Sequence, residues 1–189
     1  MATATIDTRR WTREEYERLV EQGFFHPEER LELVDGIIYE MTPQSSFHST
    51  GIRFAESALR PIFAAGFDIR TQMPLALGFD SEPEPDIAVV TGAARDYLNA
   101  HPTSAILIVE IADSSLLHDR KRKSRLYARA EIPEYWIMNV MDWCLEVYRN
   151  PKDGVYRSHI VLRADDTISP VLRPDATILI ADLLPLPGK

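Results

Sequence analysis

Residues 105–111 read Ala105-Ile106-Leu107-Ile108-Val109-Glu110-Ile111, an almost continuous apolar run. A run this short with no polar alternation predicts a central strand, covered on both faces. It carries one discordant residue near its end. A carboxylate in the position of Glu110 is costly unless a cation or hydrogen bonds satisfy it.

Reading outward, a strand is expected over 86–90, where Asp86-Ile-Ala-Val-Val follows Pro85, with a turn segment over 78–85 and an earlier strand around 72–77. A short helix or helical turn is expected over 93–100. Downstream, Asp113-Ser114-Ser115 offers N-cap candidates for a helix running to about Ala130. Strands over 134–140 and 144–149 flank a tight turn at Met141-Asp142, and short strands are expected near 156–162 and 178–180 in a tail punctuated by Pro170, Pro174, Pro185 and Pro187. At the other end, residues 1–10 read as a flexible leader, and Thr12-Arg-Glu-Glu15 is a capping box opening a helix through about Glu21. RLELVDGIIYEM over 30–41 alternates around Asp35-Gly36, the signature of a hairpin with a type I′ turn. After a loop at 42–46, helical spacing runs from about Phe47 to Ala64. This order predicts an α/β (mixed α+β) domain over 11–189, a mixed central sheet flanked by helices with an N-terminal hairpin.

Length and composition agree with one ordinary globular domain: 189 residues, 45% hydrophobic and 26% charged. No apolar run approaches the roughly 20 residues that span a bilayer, and residues 1–10 contain no apolar stretch of the secretory kind. The single cysteine, Cys144, permits no internal disulfide, so a cytoplasmic protein is expected. A net charge of −8 argues against broad coating of nucleic acid, and leaves room for a local basic patch.

Asp86 and Glu110 sit at the ends of two apolar strands, where two acids can converge on one hard divalent cation. Such a cation polarises a phosphoryl oxygen and lowers the pKa of bound water. By spacing alone the same residues also fit plainer roles, a turn or N-cap for Asp86 and a structural ion pair for Glu110.

Several ordered blocks then carry a family resemblance. Ser81-Glu-Pro-Glu-Pro-Asp86-Ile-Ala-Val-Val, Ile108-Val-Glu110-Ile, and Asp119-Arg-Lys-Arg-Lys123-Ser-Arg-Leu-Tyr127-Ala-Arg-Ala-Glu-Ile-Pro-Glu-Tyr-Trp-Ile resemble the signature blocks of the Uma2 family of restriction-endonuclease-like proteins. Arg30-Leu-Glu32-Leu-Val-Asp35-Gly36 and His48 match its opening blocks, and the likeness runs from about Trp11 to Leu184. It implies a restriction-endonuclease-like fold and a PD-(D/E)xK site, with Pro85-Asp86 as the "PD" and Glu110 as the second acid. The usual lysine two residues later is absent, position 112 being Ala. The resemblance implies that it is displaced onto the following helix, as Lys123, where Asp119, Lys123 and Tyr127 share one helix face at i, i+4, i+8. The departure at Ala112-Asp113, where the family more often has a larger apolar residue followed by Ser, bears on fine positioning.

The expected function is therefore a metal-dependent endonuclease hydrolysing DNA, with Mg2+ or Mn2+ as cofactor. Asp86, Glu110, Lys123 and Glu32 are the catalytic candidates, and Asp86, Glu110 and His48 the metal ligands. Arg120, Lys121 and Arg122 head a run of six basic residues against one acid between 119 and 129, and are expected to meet phosphate. Trp143, near a turn, reads as interfacial, with no base stacking assigned to it. The expected assembly is a homodimer. The competing reading keeps the fold without turnover, as a module binding nucleic acid or protein.

Overall fold

The computed structural model describes residues 8–185. The leader expected over 1–10 lies largely outside this range, as does Pro187. Within it, Arg10 donates to the Asp35 carbonyl and Arg9 pairs with Glu15. Helix α1 (Arg13–Glu21) opens with the expected capping box, Thr12 and Glu15 each closing the other's backbone amide. Strands β1 (Leu31–Val34) and β2 (Ile37–Glu40) form the hairpin. Asp35 and Gly36, at φ 52° and 72°, supply the left-handed pair that a type I′ turn requires.

Helix α2 (Ser46–Leu59) starts where expected, with Ser45 as its N-cap, and stops before Pro61 instead of running to Ala64. Pro61 has no N–H to continue the ladder, so Ile62 and Phe63 reach the core from turns closed on the Leu59 carbonyl. The early strand is displaced. β3 is Phe67–Thr71, and residues 72–77 are irregular. Gln72 takes φ 52°, which breaks the extended backbone, and Pro74 cannot donate to a ladder.

Strands β4 (Ile87–Thr91), β5 (Leu107–Ala112) and β6 (Glu134–Asn139) follow, with the helical turn expected over 93–100 formed as a 3-10 turn at Ala94–Tyr97. Three helical pieces, Leu116–His118, Asp119–Lys123 and Ser124–Arg129, continue one another as α3, the middle one with π-type hydrogen bonding. β7 (Cys144–Lys152) and β8 (Val155–Leu162) are longer than expected and meet in a second Asp-Gly hairpin, at Asp153-Gly154. The tail adds β9 (Thr167–Ile168), β10 (Ile178–Leu179) and a short α4 (Ile180–Leu183) where only strand was expected.

The six main strands run β3-β4-β5-β6-β7-β8, and β5–β6 is the parallel pair in an otherwise antiparallel sheet. Every residue of β5 is buried, as its composition requires. Side chains alternate between faces. Leu107, Val109 and Ile111 join α2 and the tail in one core, while Ile108 and Ala112 join Leu126, Tyr127 and Val34 in the other. Glu110 shares the face of Ile108 and Ala112, beneath α3. No helix among the described residues is long and apolar enough to cross a membrane.

Candidate active site

The antiparallel register pairs Ile87 with Val109 and Ala88 with Ile108, which brings Asp86 alongside Glu110 on the α3 face. Each acid is then gripped by the other's strand. The Asp86 amide donates to Glu110 Oε2 at 3.2 Å, and the Ile111 amide donates to Asp86 Oδ2 at 2.8 Å. The two residues are 7% and 3% exposed, so these amides satisfy carboxylates that burial would otherwise leave unpaired.

Helix α3 supplies the cation. Lys123 Nζ lies 3.0 Å from Glu110 Oε1 and 3.1 Å from Glu32 Oε2. One turn on, the Tyr127 hydroxyl donates to the same Glu110 Oε1 at 2.7 Å. Glu110 is thereby divided, with Oε1 held by the helix and Oε2 left toward Asp86. Glu32 comes from β1, opposite in direction to the buried Leu33, and its Oε2 also accepts the Glu84 amide. The π-bonded segment turns Asp119 and Lys123 inward while Arg120, Lys121 and Arg122 stay exposed.

The cluster is electrostatically one-sided. Burial drives the Glu110 carboxyl up to about 8, against the opposing Lys123 ammonium, and the charges of Asp86, Asp119 and Glu32 add to the rise. Burial likewise raises Asp119 to about 6, with Lys123 and the Ser115 hydroxyl pulling the other way. Burial works to deprotonate Lys123, but Glu110, Glu32 and Asp119 outweigh it and hold the ammonium well above its usual range. Three carboxyl groups, those of Glu110, Glu32 and Asp119, therefore share one buried ammonium.

His48, in the first turn of α2, places Nε2 2.9 Å from Asp86 Oδ1, and Gln72 donates to the same oxygen at 3.3 Å. The site opens into a cavity of about 270 Å3 lined by Glu32, His48, Asp86, Glu110, Asp119 and Lys123, among others. Among the described residues, no three His, Cys, Asp or Glu side chains form a ready-made cation cage. Mg2+ needs none: it is commonly held by one or two carboxylates and fills its shell with water and substrate phosphate. Hard oxygen donors with an excess of buried negative charge are the donor set such an ion fits.

Sequence reasoning passed over Gln72, Glu84 and His118. His118 stacks edge-on against Tyr39 and lies 3.8 Å from Glu32 Oε1, its basicity lowered by burial and by Lys123. Nothing in its local sequence marks it. The basic run divides in the structure. Arg120 Nε reaches both oxygens of Glu146, at 3.0 and 3.1 Å, and Glu146 is 1% exposed. Lys121 and Arg122 are exposed, Arg122 lying 5.8 Å over the Tyr39 ring at the edge of the cavity.

No curated protein matches the chain. Among solved structures, a protein titled "putative nuclease belonging to DUF820" from Anabaena variabilis superposes with a TM-score of 0.73 at 16% identity, over 91% of this chain and 96% of that one. At that identity the likeness establishes a shared fold, that of the mixed six-stranded sheet and flanking helices described above. The sequence profile of the family described as "Putative restriction endonuclease" matches residues 13–181. That span runs from α1 through the acids of β4 and β5 and the lysine of α3 to the tail, and it makes this chain a member of the Uma2 family.

Proposed function

We propose that the chain is a metal-dependent endonuclease that hydrolyses phosphodiester bonds in DNA at the cavity between β4, β5 and α3. The observation that carries this reading is the buried Lys123 ammonium, 3.0 Å from Glu110 and 3.1 Å from Glu32, beside the paired Asp86 and Glu110. Asp86 and Glu110 would hold Mg2+ or Mn2+, with His48 beside Asp86 as the third donor. Bound there, the ion supplies Lewis-acid polarisation of a phosphoryl oxygen and a more acidic water.

The chain's own residues do the rest. Lys123 has three N–H groups. Two are engaged by Glu110 and Glu32, and the third can donate into the cavity, where negative charge gathers on the transferring phosphoryl group. Glu32 fixes the ammonium from the side away from the strands. Tyr127 and Lys123 together orient Glu110, so that one oxygen faces Asp86 consistently. Lys121 and Arg122, exposed beside the cavity, are the phosphate contacts in this reading. The same proposal takes the protein as a cytoplasmic homodimer, which sedimentation velocity checks.

The test is cleavage of single-stranded and duplex DNA and of RNA in Mg2+ or Mn2+. Wild type should cut DNA and Asp86→Asn should not. Equal cutting by both overturns the assignment, and binding without turnover by the wild type supports the inactive module instead.

A further inference from the structure

Where α2 begins, one residue before the site's His48, and in the turn after β6 lies apolar surface that the core does not use. Phe47 is 50% exposed and Met141 66% exposed, and the Phe47 and Trp143 rings meet at 5.9 Å between centroids with 68° between planes. Both rings spring from backbone bound to the site. Phe47 immediately precedes His48, whose Nε2 touches Asp86. The turn bearing Trp143 hangs from the strand of Glu110 through the Val140 amide, which donates to the Ala112 carbonyl at 3.2 Å. Ser45, two residues before Phe47, donates to Asp113, just after Ala112, at 2.7 Å, closing the two supports on each other.

Trp143 occupies an unusual place for its size. Its φ is 52°, a left-handed conformation that glycine or asparagine adopts readily and a bulky aromatic does not. Its ring meets Phe47 at the surface and is absent from both buried cores. Cations belong to the cavity too: Arg30 is in the lining, and Arg122 lies over Tyr39, which also lines it. Beneath the turn, Arg163 donates to the Asp142 carbonyl at 2.7 Å.

We propose that Phe47 and Trp143 form a stacking platform for an unpaired base next to the scissile phosphate, so that the preferred substrate is nucleic acid with a single-stranded segment. The inference rests on the nuclease reading above and deepens it. A strand crossing the cavity places its phosphates between the acids and the basic rim, and its base falls toward the rings. Within a duplex each base has its faces covered by neighbours. An unpaired base offers its faces all along a strand, a duplex only at its two ends, and a basic track with flanking aromatics is how single strands are held.

The test measures binding of a labelled oligothymidylate and of a blunt duplex by fluorescence anisotropy, in EDTA so that nothing is cut. Wild type is compared with Phe47→Ala and with Trp143→Asn, which suits the left-handed turn and protects folding. Single-strand Kd should rise about tenfold in each variant, the scale of removing one stacked base, with duplex Kd moving by less than about twofold. Quenching of tryptophan fluorescence by the oligothymidylate should shrink in Trp143→Asn. Unchanged single-strand binding in both variants, equal weakening on both ligands, or no single-strand binding by the wild type overturns the platform. The nuclease reading stands or falls separately, on cleavage by wild type against Asp86→Asn.

Discussion

Replacing Lys123 with methionine keeps an unbranched side chain of similar length and removes the charge together with its N–H donors. Lys123 is 5% exposed, and its ammonium is shared by Glu110 and Glu32, with Asp119 adding to its hold. Removing one partner of a buried ion pair costs about 3–5 kcal/mol. The low end applies here, since the abandoned carboxyls can take up protons. For a chain of this length each kcal/mol moves Tm by about 2–4 °C, so a loss of about 3 kcal/mol is a drop of roughly 6–12 °C. The pH dependence has a definite sign. A buried carboxyl whose folded pKa lies above its unfolded value stabilises the fold at low pH and loses that contribution as pH rises through the folded pKa. Without the ammonium, Asp119 and Glu110 titrate still higher than about 6 and about 8, so the Tm deficit should widen between pH 6 and pH 9. Calorimetric melts of both proteins in EDTA read this directly. The same variant should bind Mn2+ and fail to cleave. A deficit within a degree of zero, or one that narrows as pH rises, would refute a buried ammonium serving several acids.

Two further outcomes test the helix. Lys123→Ala should abolish cleavage, and adding Ala112→Lys should restore part of it, because position 112 shares the sheet face of Glu110; a dead double variant with intact Mn2+ affinity would place the required charge elsewhere. Lys121→Gln with Arg122→Gln should flatten the plot of log K against log salt by about 0.9 for each phosphate no longer neutralised, whereas Arg120→Gln should leave that slope alone and lower stability by about 1–3 kcal/mol, because it strands the buried Glu146 carboxylate.

Much of this architecture was legible because strand and hairpin signals are local. The Asp35-Gly36 turn, the run ending in Glu110 and the acid after Pro85 announce themselves within a few residues, and alternation then puts both acids on one face. Lys123 was not readable in that way. Its place depends on how α3 crosses the sheet, a tertiary fact, and the family resemblance supplied it. The strand expected at 72–77 failed because Leu75, Ala76 and Leu77 are buried as irregular chain between Gln72 and the turn, so burial mimicked strand pattern. The Asp153-Gly154 hairpin was available from the same dipeptide rule and was passed over, because β8 alternates only weakly. The pairing of Arg120 with Glu146 joins residues 26 positions apart and has no local trace.

The π-bonded stretch of α3 has a consequence for how such sites vary. An α-helix turns by about 100° per residue, so a wide segment offsets the phase of everything on one side of it from everything on the other. In this chain that offset falls at the junction between the N-terminal turn of α3 and the portion bearing Tyr127. Deleting one residue there would restore an even helix and rotate Lys123 and Tyr127 away from Glu110 while both strands kept their pairing. The separation between the second acid and the lysine along the chain is therefore free to drift, provided that rotation is conserved, and a search keyed to linear spacing would pass over relatives whose charged groups meet in the same place.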